Sequence, residues 1–317
     1  MRLKWITAYF LCHGHWTVIP HQLDENFADM ADCGFNAVAI SFSESEEQYS
    51  RRAFEIQVNL AHKRGLKVFA IPSRIGNRFA GAPWCASYWL AMHPQCALPN
   101  RPTWPLACIE NKEFTDWAAR FCGMIVGDYG IDGLIWDEPK CPENISLHPD
   151  TLARYGATPT PEQMMGGFLE FMENLNRHCR AIRPGLVISS FACLQQPEFF
   201  TSRIPSLPGI DYFGYDGNLA RQSRFHEEPR WDKYRIESVW DRTVKECGAH
   251  GKGTFALIEN MLMPREAIPE YEENLDRYLQ TYRPDHLALY YYAHNNEDPE
   301  AVHAITRRLM KRHLGSR

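Results

Sequence analysis

Gly130-Ile131-Asp132-Gly133-Leu134-Ile135-Trp136-Asp137-Glu138-Pro139 decides how this chain is read. Its centre is a short apolar run, suited to a strand buried on both faces. Two acids and a proline follow at once, where a strand gives way to a loop. In an eightfold β/α barrel, active sites lie at the C-terminal ends of the strands. Asp137 and Glu138 would stand at that mouth. Glu259 follows the apolar stretch Gly253 to Ile258 in the same manner.

Working outward from this strand, seven more strands can be read, each followed by a stretch of helical spacing. The strands are Trp5 to Leu11, Asn36 to Phe42, Leu66 to Ile71, the run ending at Trp136, Gly185 to Ala192, Ile210 to Gly214, Gly253 to Ile258 and His286 to Tyr292. Helical patterns cover His21 to Cys33, Glu46 to Arg64, Lys112 to Tyr129, Glu162 to Ile182, Arg230 to His250, a stretch after Pro264, and Pro299 to Leu314. Gly65 suits a helix C-terminal cap. Thr160 suits an N-cap, with Pro161 at the first helical position. Strand alternating with helix demands a parallel sheet, and eight units favour closure into a (β/α)8 TIM barrel over an open sheet. The reading is a single barrel domain over residues 1–317, with long loops after the third and fourth strands. No G-x-G-x-x-G follows the first strand, which argues against a dinucleotide fold.

The bulk properties narrow the function classes. Hydrophobic residues make up 44% of the 317, enough for a sizeable core, and acids and bases mix to a net charge of −5. Nucleic-acid binding lacks the clustered basic face that phosphate neutralisation needs. No apolar run approaches the roughly 18 residues that span a bilayer, so no membrane partner is expected. No signal core and cleavage site are visible near Met1, where the mature chain is expected to start. The ten cysteines contain no Cys-x-x-Cys pair, and Cys33, Cys122, Cys179 and Cys247 read as small buried hydrophobes. That usage favours a reducing, cytoplasmic compartment. No exposed heptad seam appears, and a homodimer through barrel helices stays open.

If the barrel closes, the residues beyond each strand face one another. They are His13 and His15, Ser43 and Glu44, Ser73, Arg74 and Asn77, then Asp137, Glu138 and Lys140. Gln195 and Gln196, Tyr215 and Asp216, Glu259 and Asn260, and His294 and Asn295 complete the rim. Carboxylate candidates are abundant here, unlike on the opposite rim. Glycoside hydrolysis needs two of them across a scissile bond, one protonated and one ionised. Trp16, Trp84, Trp89, Trp104 and Trp136 read as strand-end aromatics that suit the C–H face of a pyranose. Tyr290-Tyr291-Tyr292 would send alternate rings inward and outward. Arg74, Asn77, Trp84, Trp136, Tyr215, His13, His15, Asn260, Tyr292 and His294 are the candidate substrate contacts.

Asp137-Glu138-Pro139 and Ile258-Glu259-Asn260 resemble the paired motifs of the largest clan of β/α-barrel glycoside hydrolases. There a Glu in Asn-Glu-Pro after strand 4 is the acid/base, and a Glu after strand 7 is the nucleophile. The resemblance implies a retaining glycosidase with Glu138 as acid/base, Glu259 as nucleophile, a carbohydrate substrate and no metal or organic cofactor. This chain departs from the motif at Asp137, where the clan has Asn; a carboxylate there would raise the Glu138 pKa by like-charge repulsion. The run from Gly130 to Glu138 also resembles the strand-4 motif of α-glycosidases. That likeness implies Asp137 as nucleophile and Asp216, in Gly214-Tyr215-Asp216-Gly217, as acid/base.

Two rival classes are weighed beside these. His13-Gly14-His15 resembles the metal-binding His-x-His of amidohydrolases, but the histidines which that family places after strands 5 and 6 are missing. Three sound metal ligands are therefore hard to assemble. A carbohydrate-binding barrel without catalysis is the other, since fold does not dictate function.

Overall fold

Strand residues of this chain alternate between two apolar surroundings, as a sheet closed on itself and wrapped in helices requires. The computed structural model describes residues 3–10, 18–82, 85–101, 103–140, 146–222, 235–291 and 295–314. The strands are β1 (Trp5–Phe10), β2 (Ala37–Ser43), β3 (Lys67–Ser73), β4 (Gly133–Asp137), β5 (Val187–Ala192), β6 (Tyr212–Gly217), β7 (Gly253–Ile258) and β8 (His286–Tyr290). They pair in parallel, in chain order, and β8 returns to β1 with Tyr9 opposite Tyr290, so the barrel closes. The lumen is filled by Tyr9, Ala39, Phe69, Ile71, Ile135, Phe191, Phe255, Leu257 and Ala288. Leu134, Trp136, Phe213 and Ile258, from alternate positions, join the larger core under the helices.

The main covering helices are α1 (Pro20–Asp32), α2 (Glu44–Tyr49), α3 (Arg51–Lys63), α4 (Tyr88–Met92), α5 (Lys112–Asp128), α6 (Pro149–Tyr155), α7 (Pro161–Ile182), α8 (Glu198–Thr201), α9 (Trp240–Ala249), α10 (Ile268–Thr281) and α11 (Pro299–Leu314). Thr160 caps α7 through a reciprocal box with Gln163, and Pro161 opens the helix, as the sequence led one to expect. The single helix expected over 46–64 is two. Ser43 and Glu46 form a capping box that starts α2 directly at the strand end, and Ser50, at φ −139°, separates it from α3. Cys33, Cys122, Cys179 and Cys247 are buried free thiols. Among the described residues no helix is long and apolar enough to cross a membrane.

The sequence reading ends β6 at Gly214, but the strand runs on to Gly217 because its ladder with β7 continues through Asp216 opposite Leu257. Gly214 is where the two strands press closest. A Cβ added there would lie 1.8 Å from the Phe255 carbonyl oxygen, so no other residue fits.

Three acids, with one asparagine, also occupy the opposite, N-terminal rim, against expectation, and they have a structural role. Asn36, Asp132, Asp211 and Asp285 directly precede or sit just ahead of β2, β4, β6 and β8. Each accepts the backbone N–H of the neighbouring odd-numbered strand, from Ile6, Val68, Ile188 and Thr254 at 2.8, 3.0, 2.8 and 2.9 Å. The barrel floor is thus stitched four times by one device, which satisfies amide groups the sheet itself leaves unpaired.

Candidate active site

Strand sidedness decides which acids reach the lumen. On β4, Ile135 is interior while Leu134 and Trp136 are exterior, so Asp137 turns inward, where its Oδ2 accepts a 2.9 Å hydrogen bond from the Tyr9 hydroxyl. Asp216 holds the matching position on β6 and is buried. Glu259 extends the β7 ladder, its N–H donating to the Gly217 carbonyl at 2.8 Å. It therefore continues the inward alternation of Phe255 and Leu257.

Glu138 would follow Trp136 outward if the strand simply continued. Instead its backbone takes φ +39°, a left-handed value unusual for a non-glycine residue and frequent at functional sites. The turn carries its carboxylate back over the mouth, where it is hydrogen-bonded to Asp216 and ion-paired with the Lys140 ammonium. The loop after β3 clamps this bend from both sides. The Ala80 N–H donates to the Asp137 carbonyl at 2.7 Å, and the Lys140 N–H to the Arg78 carbonyl at 2.8 Å. Gly81, at φ +96°, lets that loop return against Ser73, whose Oγ would meet any added Cβ at 2.3 Å.

The carboxyls share one field, yet Asp137, Glu138 and Asp216 are not shifted alike. Burial, then the charges of Glu138 and Glu259, push Asp216 well above the ordinary aspartate range. Burial and Glu138 raise Asp137 to about 7, against the opposing pull of the Tyr9 hydroxyl, Lys140 and Arg74. Burial would raise Glu138 too, but Lys140, the hydrogen bond with Asp216 and Arg74 outweigh it and hold the carboxyl below its usual value. Tyr9 and Tyr290 pack edge to face at 5.4 Å beneath the acids. Burial and the surrounding carboxylates keep both phenols protonated.

The other candidate contacts divide sharply. Arg74, at φ +62°, stays at the mouth, where its charge acts on Asp137 and Glu138. Asn77 is buried in the same loop with its amide donated to the Pro105 carbonyl at 2.8 Å. Trp136 and Tyr215 are corrected to core residues, because both are in-strand positions that face the helices. The Trp136 ring stacks on Phe79 at 4.8 Å and donates to Asn176 at 2.7 Å. The Tyr215 hydroxyl bonds to Thr201 and Glu246. Asn260 is corrected likewise: it is wholly buried and donates to the Tyr290 carbonyl and to Thr306 of α11. His13, His15, Trp84, Tyr292 and His294 lie outside the described residues. Tyr9, which sequence reasoning missed, was within its reach. It sits two positions from Thr7 on an inward-facing strand edge whose alternation is readable.

A cavity of about 320 Å³ opens beside the acids, between the loops after β3 and β5, with Lys140 and Cys193 on its wall. Cys193 lies close enough to Glu138 and Asp216 for their charges to act on one another.

No family model and no curated protein matches the sequence. Solved structures do match in shape. An alpha-L-fucosidase isoenzyme 2 from Paenibacillus thiaminolyticus superposes over 98% of this chain and 48% of its own, at 13% identity and TM-score 0.61. A beta-galactosidase from Halorubrum lacusprofundi covers 98% of this chain and 58% of its own, at 12% identity and TM-score 0.70. An endo-1,4-beta-mannanase from Rhizomucor miehei covers 98% and 95%, at 10% identity and TM-score 0.63. This chain thus spans about half the length of the first two. At these identities the likeness establishes the (β/α)8 barrel.

Proposed function

We propose that this chain is a glycoside hydrolase acting on an oligosaccharide or glycoconjugate. The observation that carries the reading is the gathering of Asp137, Glu138, Asp216 and Glu259 at one barrel mouth, where Asp137 and Asp216 are raised and Glu138 is lowered. Cleaving a glycosidic bond needs one carboxyl that keeps its proton and one that has lost it. The matching structures that carry glycosidase names add support.

The ionisation pattern favours Asp216 as proton donor, and Asp137, raised to about 7, is taken as its counterpart because Glu138, the acid held ionised, touches the donor. Asp216 is the acid that burial and its neighbours keep protonated. Glu138 touches Asp216 directly, too close to straddle a bond with it, since paired carboxyls stand about 5–5.5 Å apart for retention or about 6.5–9.5 Å for inversion. As an anion beside Asp216, Glu138 helps to keep the proton on the donor. Asp216 would protonate the leaving oxygen while Asp137, held by the Tyr9 hydroxyl, attacks the anomeric carbon. Asp216, now ionised, would then take a proton from the water that releases the sugar from Asp137.

The second reading keeps Glu138 as acid/base and Glu259 as nucleophile. It is favoured by the inward course of β7 and by the charge of Glu259 acting on Asp216 and Tyr290. Rescue chemistry separates the two. A variant lacking the donor regains rate on an aryl glycoside whose leaving group needs no proton; one lacking the nucleophile regains rate with azide and yields a glycosyl azide. Leaving-group rescue of Asp216→Asn and azide rescue of Asp137→Asn support the first assignment. The same results at Glu138→Gln and Glu259→Gln support the second. Native protein that binds glycans yet releases no sugar from a broad panel leaves a binding barrel and overturns the enzyme.

A further inference from the structure

We infer that the cavity beside the carboxylates is a subsite for an anionic sugar unit, one bearing a carboxylate or a sulfate. This assignment of substrate class rests on the glycosidase reading above. The cavity's volume of about 320 Å³ falls at the low end of the roughly 300–1,000 Å³ typical of small-ligand sites. Arg74, Arg101 and Lys140 line it, and no carboxylate does among the described residues. The chain as a whole carries net charge −5, whereas the charged side chains of this lining are all cationic. Of these three cations, Lys140 is ion-paired with Glu138 at the mouth.

Two aromatic rings complete the chemistry. Trp104 and Phe199 line the same cavity and are 37% and 53% exposed. Large apolar rings left open at a concave polar site suit the C–H face of a pyranose, while a guanidinium forks onto a planar carboxylate or a sulfate. Lys140 and Arg74 already act on Glu138 and Asp137, so the cavity adjoins the reacting mouth. Arg101 is the member set farthest along the loop after β3, anchored by its N–H to the Leu98 carbonyl at 3.2 Å. It is the residue through which charge recognition can be separated from catalysis.

The test uses oligosaccharides in matched neutral, uronate-bearing and sulfated forms. Binding to the Asp137→Asn chain is measured by calorimetry, and turnover is measured with the native chain. The charged member of a pair is expected to bind at least about tenfold tighter than the neutral one, a preference that shrinks as salt screens it. Arg101→Ala should reduce that charged-to-neutral ratio about tenfold, and Arg101→Lys should restore part of it. The arm preferred, uronate or sulfate, names the anion. Equal affinity within every pair, or a ratio that Arg101→Ala leaves unchanged in a chain of native melting temperature, overturns the subsite. Hydrolysis of neutral glycans with no charge preference removes the subsite and keeps the glycosidase. Charge-dependent, Arg101-dependent binding without hydrolysis of any member keeps the subsite and removes the glycosidase.

Discussion

Two strands of this barrel carry an aspartate at each end, and the two ends treat them oppositely. Asp132 and Asp211 lie at the N-terminal approaches of β4 and β6; Asp137 and Asp216 lie five residues further along. At the floor, Asp132 accepts from the Val68 N–H, Lys67 and His62 at 3.0, 2.9 and 2.8 Å. Burial works against its charge, but those donors outweigh it and hold the carboxyl below its ordinary value. Asp211 accepts from the Ile188 N–H at 2.8 Å and from Arg180 at 2.6 Å. At the mouth, Asp137 and Asp216 meet burial and other carboxylates with few donors, and both are raised. Residue type and strand are shared. What differs is the supply of N–H groups and cations, and that supply separates an acid that ties the fold together from one pushed toward its protonated form.

The largest expected effect tests this division through activity. Asp216→Asn or Asp137→Asn should lower kcat/KM by about 10²–10⁴-fold with the fold intact, the range for losing a positioned acid or base. Asp211→Asn, on the same strand as Asp216, should leave activity per folded molecule within about twofold, given that surviving oxygen and fold are retained. Initial rates on an aryl glycoside, normalised by circular dichroism, decide it. Equal losses at both ends would erase the comparison.

Stability against pH should then show opposite signs at the two ends. The folded pKa of Asp137, about 7, lies above that of an unfolded aspartate, near 3.9. Its contribution is fully present below about pH 4 and is lost as pH rises through 7. Asp132 is lowered, so its contribution is present above the unfolded value and is lost as pH falls through the folded one. Urea unfolding from pH 3 to 8 should show Asp137→Asn gaining on the native chain by about 1–4 kcal/mol toward high pH. Asp132→Asn should lose most near neutrality and least in acid. Parallel curves for the two variants would contradict the contrast.

Removing a floor stitch outright has a smaller expected effect. Asp285 accepts from both the N–H and the hydroxyl of Thr254, at 2.9 and 3.1 Å. Asp285→Ala should cost about 1–3 kcal/mol, the range for stranding a buried donor, with the slope of the denaturant curve unchanged.

How far the sequence discloses these ends depends on whether the cause is local. β7 over Gly253–Ile258 and α11 over Pro299–Leu314 coincide with the stretches read from periodicity alone. Both have plain apolar patterns and clean stops. The end of β6 was misread because Gly214-Tyr215-Asp216-Gly217 has the composition of a turn, whereas pairing with β7 draws it out as strand. That error of three residues put Tyr215 among the substrate contacts. Trp136 and Asn260 failed for a related reason, since nearness to a strand end does not say which side a residue faces. The bend at Glu138 was unreadable for a different cause. No propensity places a glutamate at φ +39°; contacts from Ala80 and Arg78, some sixty residues away, hold it there. The four-carboxylate mouth was legible as a set, while its division of protons was not, because burial and Lys140 set it in three dimensions.

Lys140 offers the finest cut at the mouth, since its charge acts on some acids and not others. It lowers both Asp137 and Glu138 and is not among the charges that dominate Asp216. Lys140→Met should therefore raise the first two and leave the third nearly in place. If Asp137 is the ionised partner and Asp216 the donor, the acid limb of the kcat/KM profile moves to higher pH and the basic limb stays. If Glu138 is the donor, loss of its proton sets the basic limb, and that limb moves up instead. The change near pH 7 should be less than about tenfold, the equivalent of one pKa unit, so the limb that moves is more informative than the rate. A profile whose limbs both stay fixed would mean that Lys140 does not set the proton state of this mouth, and the contrast with the floor would then rest on burial alone.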